Sequence, residues 1–203
     1  MMNCHALTMS CRPFPPAMLA LFPAMLLAAL TGCVDVPTQR GVPGGRASSP
    51  SANTPSARAC FSDLGRKQAN FTPLQDQYFG AGCSALQAVR LAALRSDDRT
   101  LSLTNLGPVT CPLANALAGW ARFGVDRAAR QILGSPLVRI ETMGSYACRN
   151  VAGTKRLSGH ASANAVDIAG FVLADGRRIT VLRDWNNPSP QIRAFLGSVQ
   201  TSA

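Results

Sequence analysis

The longest periodic stretch of the chain sets Leu113, Leu117, Trp120, Val125, Ala128, Ile132 and Leu133 at mostly helical spacing. This pattern predicts a core helix from Cys111 to Leu133, with Thr110 as cap and Pro112 in the first turn. Gly134 and Pro136 stop it, and Leu137–Thr142 then reads as a strand rich in β-branched residues. Farther on, Ile168–Ala174 and Arg177–Leu182 flank Asp175-Gly176, a dipeptide that tolerates the positive φ of a tight hairpin turn. A last helix runs from about Pro190 to Val199 and lines up Ile192, Phe195, Leu196 and Val199 on one face. Upstream of Thr110 the pattern is weaker, a helix and short extended pieces. With no βαβ repeat, the order predicts an α+β fold: one small domain with a core helix packed on a short mixed or antiparallel sheet.

The N-terminal third has a different texture. Arg12 leads into the apolar run Ala17–Leu30, which is too short to span a bilayer, is interrupted by Pro23, and has the length of a secretory signal. It ends in Leu30-Thr31-Gly32-Cys33, which resembles a bacterial lipobox. Residues 1–32 are therefore expected to be a lipoprotein signal peptide and Cys33 the lipid attachment site. Acyl chains on Cys33 would make the lipid bilayer a partner. From Val34 to Ala59 come four prolines, three glycines, four serines and no aromatic residue, so residues 33–59 are expected to be a disordered tether and 60–203 the folded domain. Val34 and not Asp follows the cysteine, and the resemblance to Gram-negative lipoproteins implies the outer membrane in preference to the inner one. The domain would then be lipid-anchored and face the periplasm of a Gram-negative bacterium.

Charge narrows the partners. The chain carries +10 at pH 7, from 18 Arg and 2 Lys against 9 Asp and the single Glu141. Such a surface suits anionic polymers or lipid. The cations are scattered singly, without an aromatic ladder or a groove-entering motif, so no nucleic acid partner is expected. Four cysteines follow the tether: Cys60, Cys83, Cys111 and Cys148. Their even number fits disulfides in an oxidising compartment, whereas the lack of any C-x-x-C spacing argues against a zinc cluster. Three pairings are open, with a preference for Cys83–Cys111 across a short extended region. No P-loop, G-x-G-x-x-G or G-x-S-x-G motif occurs.

The chemistry concentrates in one stretch. Gly144-Ser145-Tyr146-Ala147-Cys148-Arg149 is followed by Arg156-Leu157-Ser158-Gly159-His160 and then by Ala163-Asn164-Ala165-Val166-Asp167-Ile168-Ala169-Gly170-Phe171. Together with Cys111-Pro112-Leu113, this segment resembles the extensin-like C-terminal domain family of bacteria, a branch of the superfamily of D-Ala-D-Ala carboxypeptidases, lysostaphin-type endopeptidases and hedgehog-like domains. The resemblance implies a zinc site with His160 and Asp167 as ligands, and Arg149, Ser158 and Tyr146 close to a bound peptide. A neutral imidazole and one carboxylate leave the metal enough charge to acidify a bound water.

Three departures qualify the likeness. Ala163 stands where the pattern has glycine, and Gly159 where this branch has glutamate. The H-x-H segment that would bring the third ligand is expected beyond Ala203, which implies a truncated domain without its last strands, general base or identifiable catalytic residue. The expectation is thus an envelope lipoprotein, similar to zinc-dependent peptidoglycan peptidases but catalytically incomplete. The alternative is a non-catalytic lipoprotein that binds the cell wall. Peptidoglycan is the partner in both.

Overall fold

The structure, a computed structural model, describes residues 54–203, which all fall in one compact unit. The expected signal peptide, Cys33 and the tether up to residue 53 lie outside the described residues. Helix α1 spans Pro55–Arg66, starting before the boundary expected at Cys60. Thr54 explains the early start: its hydroxyl accepts the Ala57 amide at 3.1 Å, and Pro55 supplies the first helical position.

Six short strands follow: β1 (Asn70–Pro73), β2 (Gln77–Gly80), β3 (Cys83–Ala85), β4 (Ala88–Arg95), β5 (Thr100–Thr104) and β6 (Val109–Thr110). After helix α2 (Cys111–Gly119), a π-helical segment (Trp120–Asp126) and α3 (Arg127–Leu133) come β7 (Leu137–Gly144), β8 (Asp167–Leu173), β9 (Arg178–Thr180), α4 (Val181–Asp184) and α5 (Pro190–Thr201). The main sheet runs β1-β4-β5-β7-β8-β9, with β6 also on β4, while β2 and β3 form a separate hairpin. All its pairs are antiparallel except β5–β7, the two strands joined across the long helix. The fold is α+β, as expected, on a mixed sheet.

The predicted core helix is present, capped by Thr110 and ended by Gly134 at φ 69°, a left-handed position that glycine adopts without a Cβ penalty. Its middle is wider than anticipated. Within that π segment Gly124 leaves room for the chain end, since a Cβ there would lie 2.6 Å from Ser202 Oγ. The Trp120 indole N–H donates to the Val199 carbonyl at 3.3 Å. Leu117, Ala121, Val125 and Leu133 pack with Leu94, Leu101, Leu137, Ile140 and Phe171 of the sheet and with Phe195, Leu196 and Val199 of α5. The Phe171 and Phe195 rings meet edge to face at 5.4 Å. The expected second hairpin strand ends early: Val181–Asp184 turns into a helix instead of continuing to Leu182 as a strand.

Asp184 is the reason for that turn. Its Oδ2 accepts the Thr180 amide at 2.7 Å and the Thr180 hydroxyl at 3.0 Å, while Oδ1 accepts from Asn187 at 2.9 Å. The backbone N–H of Thr180, foremost, holds the Asp184 carboxyl below its ordinary range. A carboxyl that titrates lower when folded contributes stability that is complete above its unfolded value of about 4 and is lost as pH falls toward the folded value. Asp184→Asn should therefore lower the melting temperature at neutral pH and flatten its decline between about pH 5 and 2. Thermal melts across that range check both.

The cysteine pairing differs from the preferred one. Cys60 bonds Cys111, fastening α1 to the start of α2, and Cys83 bonds Cys148, fastening the β2–β3 hairpin to the loop after β7. Cys83–Cys111 is ruled out by position: Cys111 faces α1 at the head of its helix, and its Sγ is already taken. The hairpin meets the β7–β8 loop instead.

Candidate functional site

His160 sits in a single 3₁₀ turn, Gly159–Ser162, inside the long connection from β7 to β8. Ser158 caps the turn, its hydroxyl accepting the His160 amide at 3.3 Å. Ala163 closes it at φ 54°, in the left-handed region, donating its amide to the His160 carbonyl at 3.2 Å. That conformation gives a physical reason for glycine in the pattern, since a Cβ there costs about 1–2 kcal/mol. Here the methyl is fully buried against Ala85 and Ala88, a contact that offsets part of the cost. The turn is tied to the body by Ala147 N–H to the His160 carbonyl at 3.1 Å and by Thr110 N–H to the Ala163 carbonyl at 2.9 Å.

The ring is oriented from behind. Its Nδ1 lies 2.7 Å from the Ser145 carbonyl oxygen, which can only accept, so Nδ1 carries a proton. Ser145 is itself fixed, because its hydroxyl donates to the Pro108 carbonyl at 2.7 Å. Nε2 then points at Asp167, the first residue of β8, with Oδ2 at 3.4 Å. The imidazole is nearly enclosed and the carboxylate is half exposed, at 10% and 49% of side-chain surface. A buried nitrogen and an open carboxylate thus converge at the surface.

A proton or a cation between these two groups would bind both at once. In an imidazolium, a second proton on Nε2 does so by donating to Asp167. In a neutral imidazole, the Nε2 lone pair and the carboxylate face each other and suit a bound cation. For a tetrahedral zinc with ligand bonds of about 2.0–2.1 Å, two ligand atoms lie about 3.3 Å apart, so the pair fits two vertices. The Nδ1–H donated to a carbonyl is also the second contact that metal-binding histidines make. A third donor is not supplied: among the described residues no three of His, Cys, Asp and Glu come together. The residues present therefore fit half of a zinc site, and no hydrolytic step is assigned to them.

The other expected residues occupy different positions. Ser158 is a turn cap, mostly buried. Tyr146 packs with Ala85, Ala88 and Ala163, its ring centroid lies 4.7 Å from that of Phe79, and its hydroxyl is buried with no hydrogen-bond partner among the described residues. Arg149 is exposed and makes no ion pair with any of the described residues. Ser145 was not among the expected residues, and its contribution is a main-chain oxygen, which leaves no trace in residue type. Its place in Gly144-Ser145-Tyr146 was the only available signal.

An open apolar groove of about 650 Å³ runs along the core helix between Leu113, Trp120, Phe123 and Ile168. It contains neither member of the pair. Val166 and Ile168 line it from either side of Asp167, and the period-two alternation of an extended chain turns Asp167 the other way. The groove brings no titratable side chain to the chemistry.

A family profile described as Extensin-like protein C-terminus matches residues 58–203. No curated protein and no solved structure matches the chain.

Proposed function

From the chain's membership of the extensin-like C-terminus family, we infer that it is a cell-envelope domain whose His160–Asp167 pair takes up a divalent transition metal, zinc by preference, at the surface it turns to the cell wall. The observation that carries this reading is the ring clamped at Nδ1 by the Ser145 carbonyl, with Nε2 and Asp167 Oδ2 at the separation of two zinc ligands. When bound, zinc would supply a Lewis acid for a peptide carbonyl, the chemistry of the peptidoglycan peptidases that the motif resembles. The chain's own contribution is to hold the imidazole in one tautomer and to leave the carboxylate open to solvent. Lipidation of Cys33 and an outer-membrane, periplasm-facing location complete the proposal and rest on the sequence motif.

Two protein ligands hold zinc weakly, with water filling the other positions. Titration of the full chain should show one equivalent of zinc bound at micromolar or weaker affinity. His160→Ala and Asp167→Asn should each weaken uptake by at least tenfold, as followed by calorimetry and by cobalt(II) absorption. Equal uptake by the wild type and both variants would overturn the metal reading. A metal-free chain that still sediments with peptidoglycan would favour the second reading, a wall-binding domain, and the charge distribution around the loop supplies a specific reason for it.

A further inference from the structure

Most cations of the domain have partners. Asp97 takes Arg122 and Arg127, Asp98 takes Arg99 and Arg130, Glu141 takes Arg139 and Arg178, and Asp175 takes Arg177. Arg90, Arg95 and Arg183 lack an ion pair among the described residues, but the loop that leads to His160 gathers three such cations within eight positions. No acidic residue occurs between Glu141 and Asp167, and Arg149, Lys155 and Arg156 are exposed there with no ion pair or side-chain hydrogen bond to any of the described residues. The loop is nonetheless ordered, as a small hairpin in which Asn150 bridges Leu157, Val151 N–H reaches the Arg156 carbonyl at 2.8 Å and Ser158 N–H reaches the Arg149 carbonyl at 3.0 Å. Its three charges are presented on a fixed frame.

Against this frame lies the β2–β3 hairpin, joined through Cys83–Cys148. Leu157 rests on its turn, where a Cβ at Gly82 would be 2.8 Å from Leu157 Cδ1. This hairpin also lacks acidic residues, none occurring between Asp76 and Asp97. Beside the cations it exposes Tyr78 (78%), Phe79 (49%) and, from the facing loop, Leu157 (40%). Exposed aromatics beside unpaired cations are an arrangement that a chain without a ligand does not need.

We propose that Tyr78, Phe79 and Leu157 with Arg149, Lys155 and Arg156 form a binding surface for a carboxylate-bearing glycan strand. The flat apolar faces of sugar rings stack on the aromatic side chains, and carboxylates spaced along the strand pair with the cations. An acid-free face of two cross-linked hairpins matches an anionic polymer by charge. A neutral polysaccharide would use the aromatics alone, and a purely charged polymer would leave them idle. The surface adjoins the site, because the hairpin ends in Ser158, which caps the turn of His160. The inference goes beyond metal uptake and rests on the cell-wall reading only for the source of the glycan.

The test uses the full chain and fluorescently labelled glycan strands stripped of their peptides, with carboxylates free or capped as amides. Capping, or the triple change Arg149→Gln, Lys155→Gln and Arg156→Gln, should weaken binding at least tenfold and abolish its salt dependence. Tyr78→Ser with Phe79→Ser should weaken it as much but keep the salt dependence, while Arg183→Gln, an exposed cation elsewhere, should leave it within twofold. Zinc titration of the same variants reads the metal pair separately and should be unchanged. Binding that is insensitive to either set of changes, no binding by the wild type, or equally tight binding of a single-stranded oligonucleotide would overturn the surface whatever the zinc result.

Discussion

Replacing Asp126 with alanine is expected to cost about 3 kcal/mol, mainly by leaving a buried main-chain N–H without a partner. Asp126 is fully buried at the end of the π segment. One oxygen accepts the Leu137 amide at 2.8 Å, and the other accepts Arg130 Nε at 2.8 Å. The first contact sets where β7 begins, immediately after the turn that ends α3. Without it, a main-chain N–H is left unpaired in the core, at a cost of about 1–3 kcal/mol, and a small cavity is added. Arg130 keeps a second partner in Asp98, so the loss falls on β7 and not on the arginine. Domains of this size are stable by about 5–15 kcal/mol, and the loss would consume a large share of that. In urea, the midpoint should fall with little change in slope. Asp126→Asn, which can still accept from Leu137, should lose clearly less. Equal losses for the two variants would show that the charge matters and the hydrogen bond to β7 does not.

Removal of either disulfide should be at least as costly in stability, but only one removal frees the loop whose Ser145 carbonyl orients the His160 ring. The bridges close segments of 51 and 65 residues, for which chain entropy alone gives about 4 kcal/mol each. Cys60→Ala with Cys111→Ala frees α1 from α2 but leaves in place the hydrogen bond from Thr110 N–H to the Ala163 carbonyl, which ties the His160 turn to the head of α2. Cys83→Ala with Cys148→Ala frees the loop that bears Ser145, the carbonyl on which the imidazole depends. Both double variants should show lower midpoints of unfolding. The second should in addition weaken zinc uptake, because an untethered loop no longer presets the Nδ1 contact and the ordering cost moves to the binding step. Zinc affinity unchanged in the second variant would show that the Ser145 contact is held by its Pro108 hydrogen bond alone.

Much of this architecture was legible along the chain, and the illegible parts share a cause. The core helix, its Thr110 cap and its Gly134 stop followed from apolar spacing and local backbone preference, both of which act within a few residues. The strand at Leu137 and the hairpin around Asp175-Gly176 followed for the same reason. Strand β4 was illegible because Ala88–Arg95 is rich in alanine, leucine and arginine, good helix formers that only sheet pairing on both sides turns into a strand. The π turn depends on contacts from Val199 and Ser202, far along the chain.

At the site, the sequence alone determined the donors. His160 and Asp167 are seven residues apart, on a turn and the strand that follows it, and their residue types specify an imidazole and a carboxylate whatever surrounds them. Tertiary structure decided how they are used: the Ser145 carbonyl that sets the tautomer comes from the far end of the loop, and the Cys83–Cys148 bond that holds this loop comes from a separate hairpin. The same holds for charge. Composition supplied an excess of ten cations, but folding gathers seven arginines around Asp97, Asp98, Glu141 and Asp175 and leaves Arg149, Lys155 and Arg156 together, without an acidic partner among the described residues, on the loop before His160. Coulomb pairing acts over a few ångströms, and only folding brings residues so distant in sequence that close.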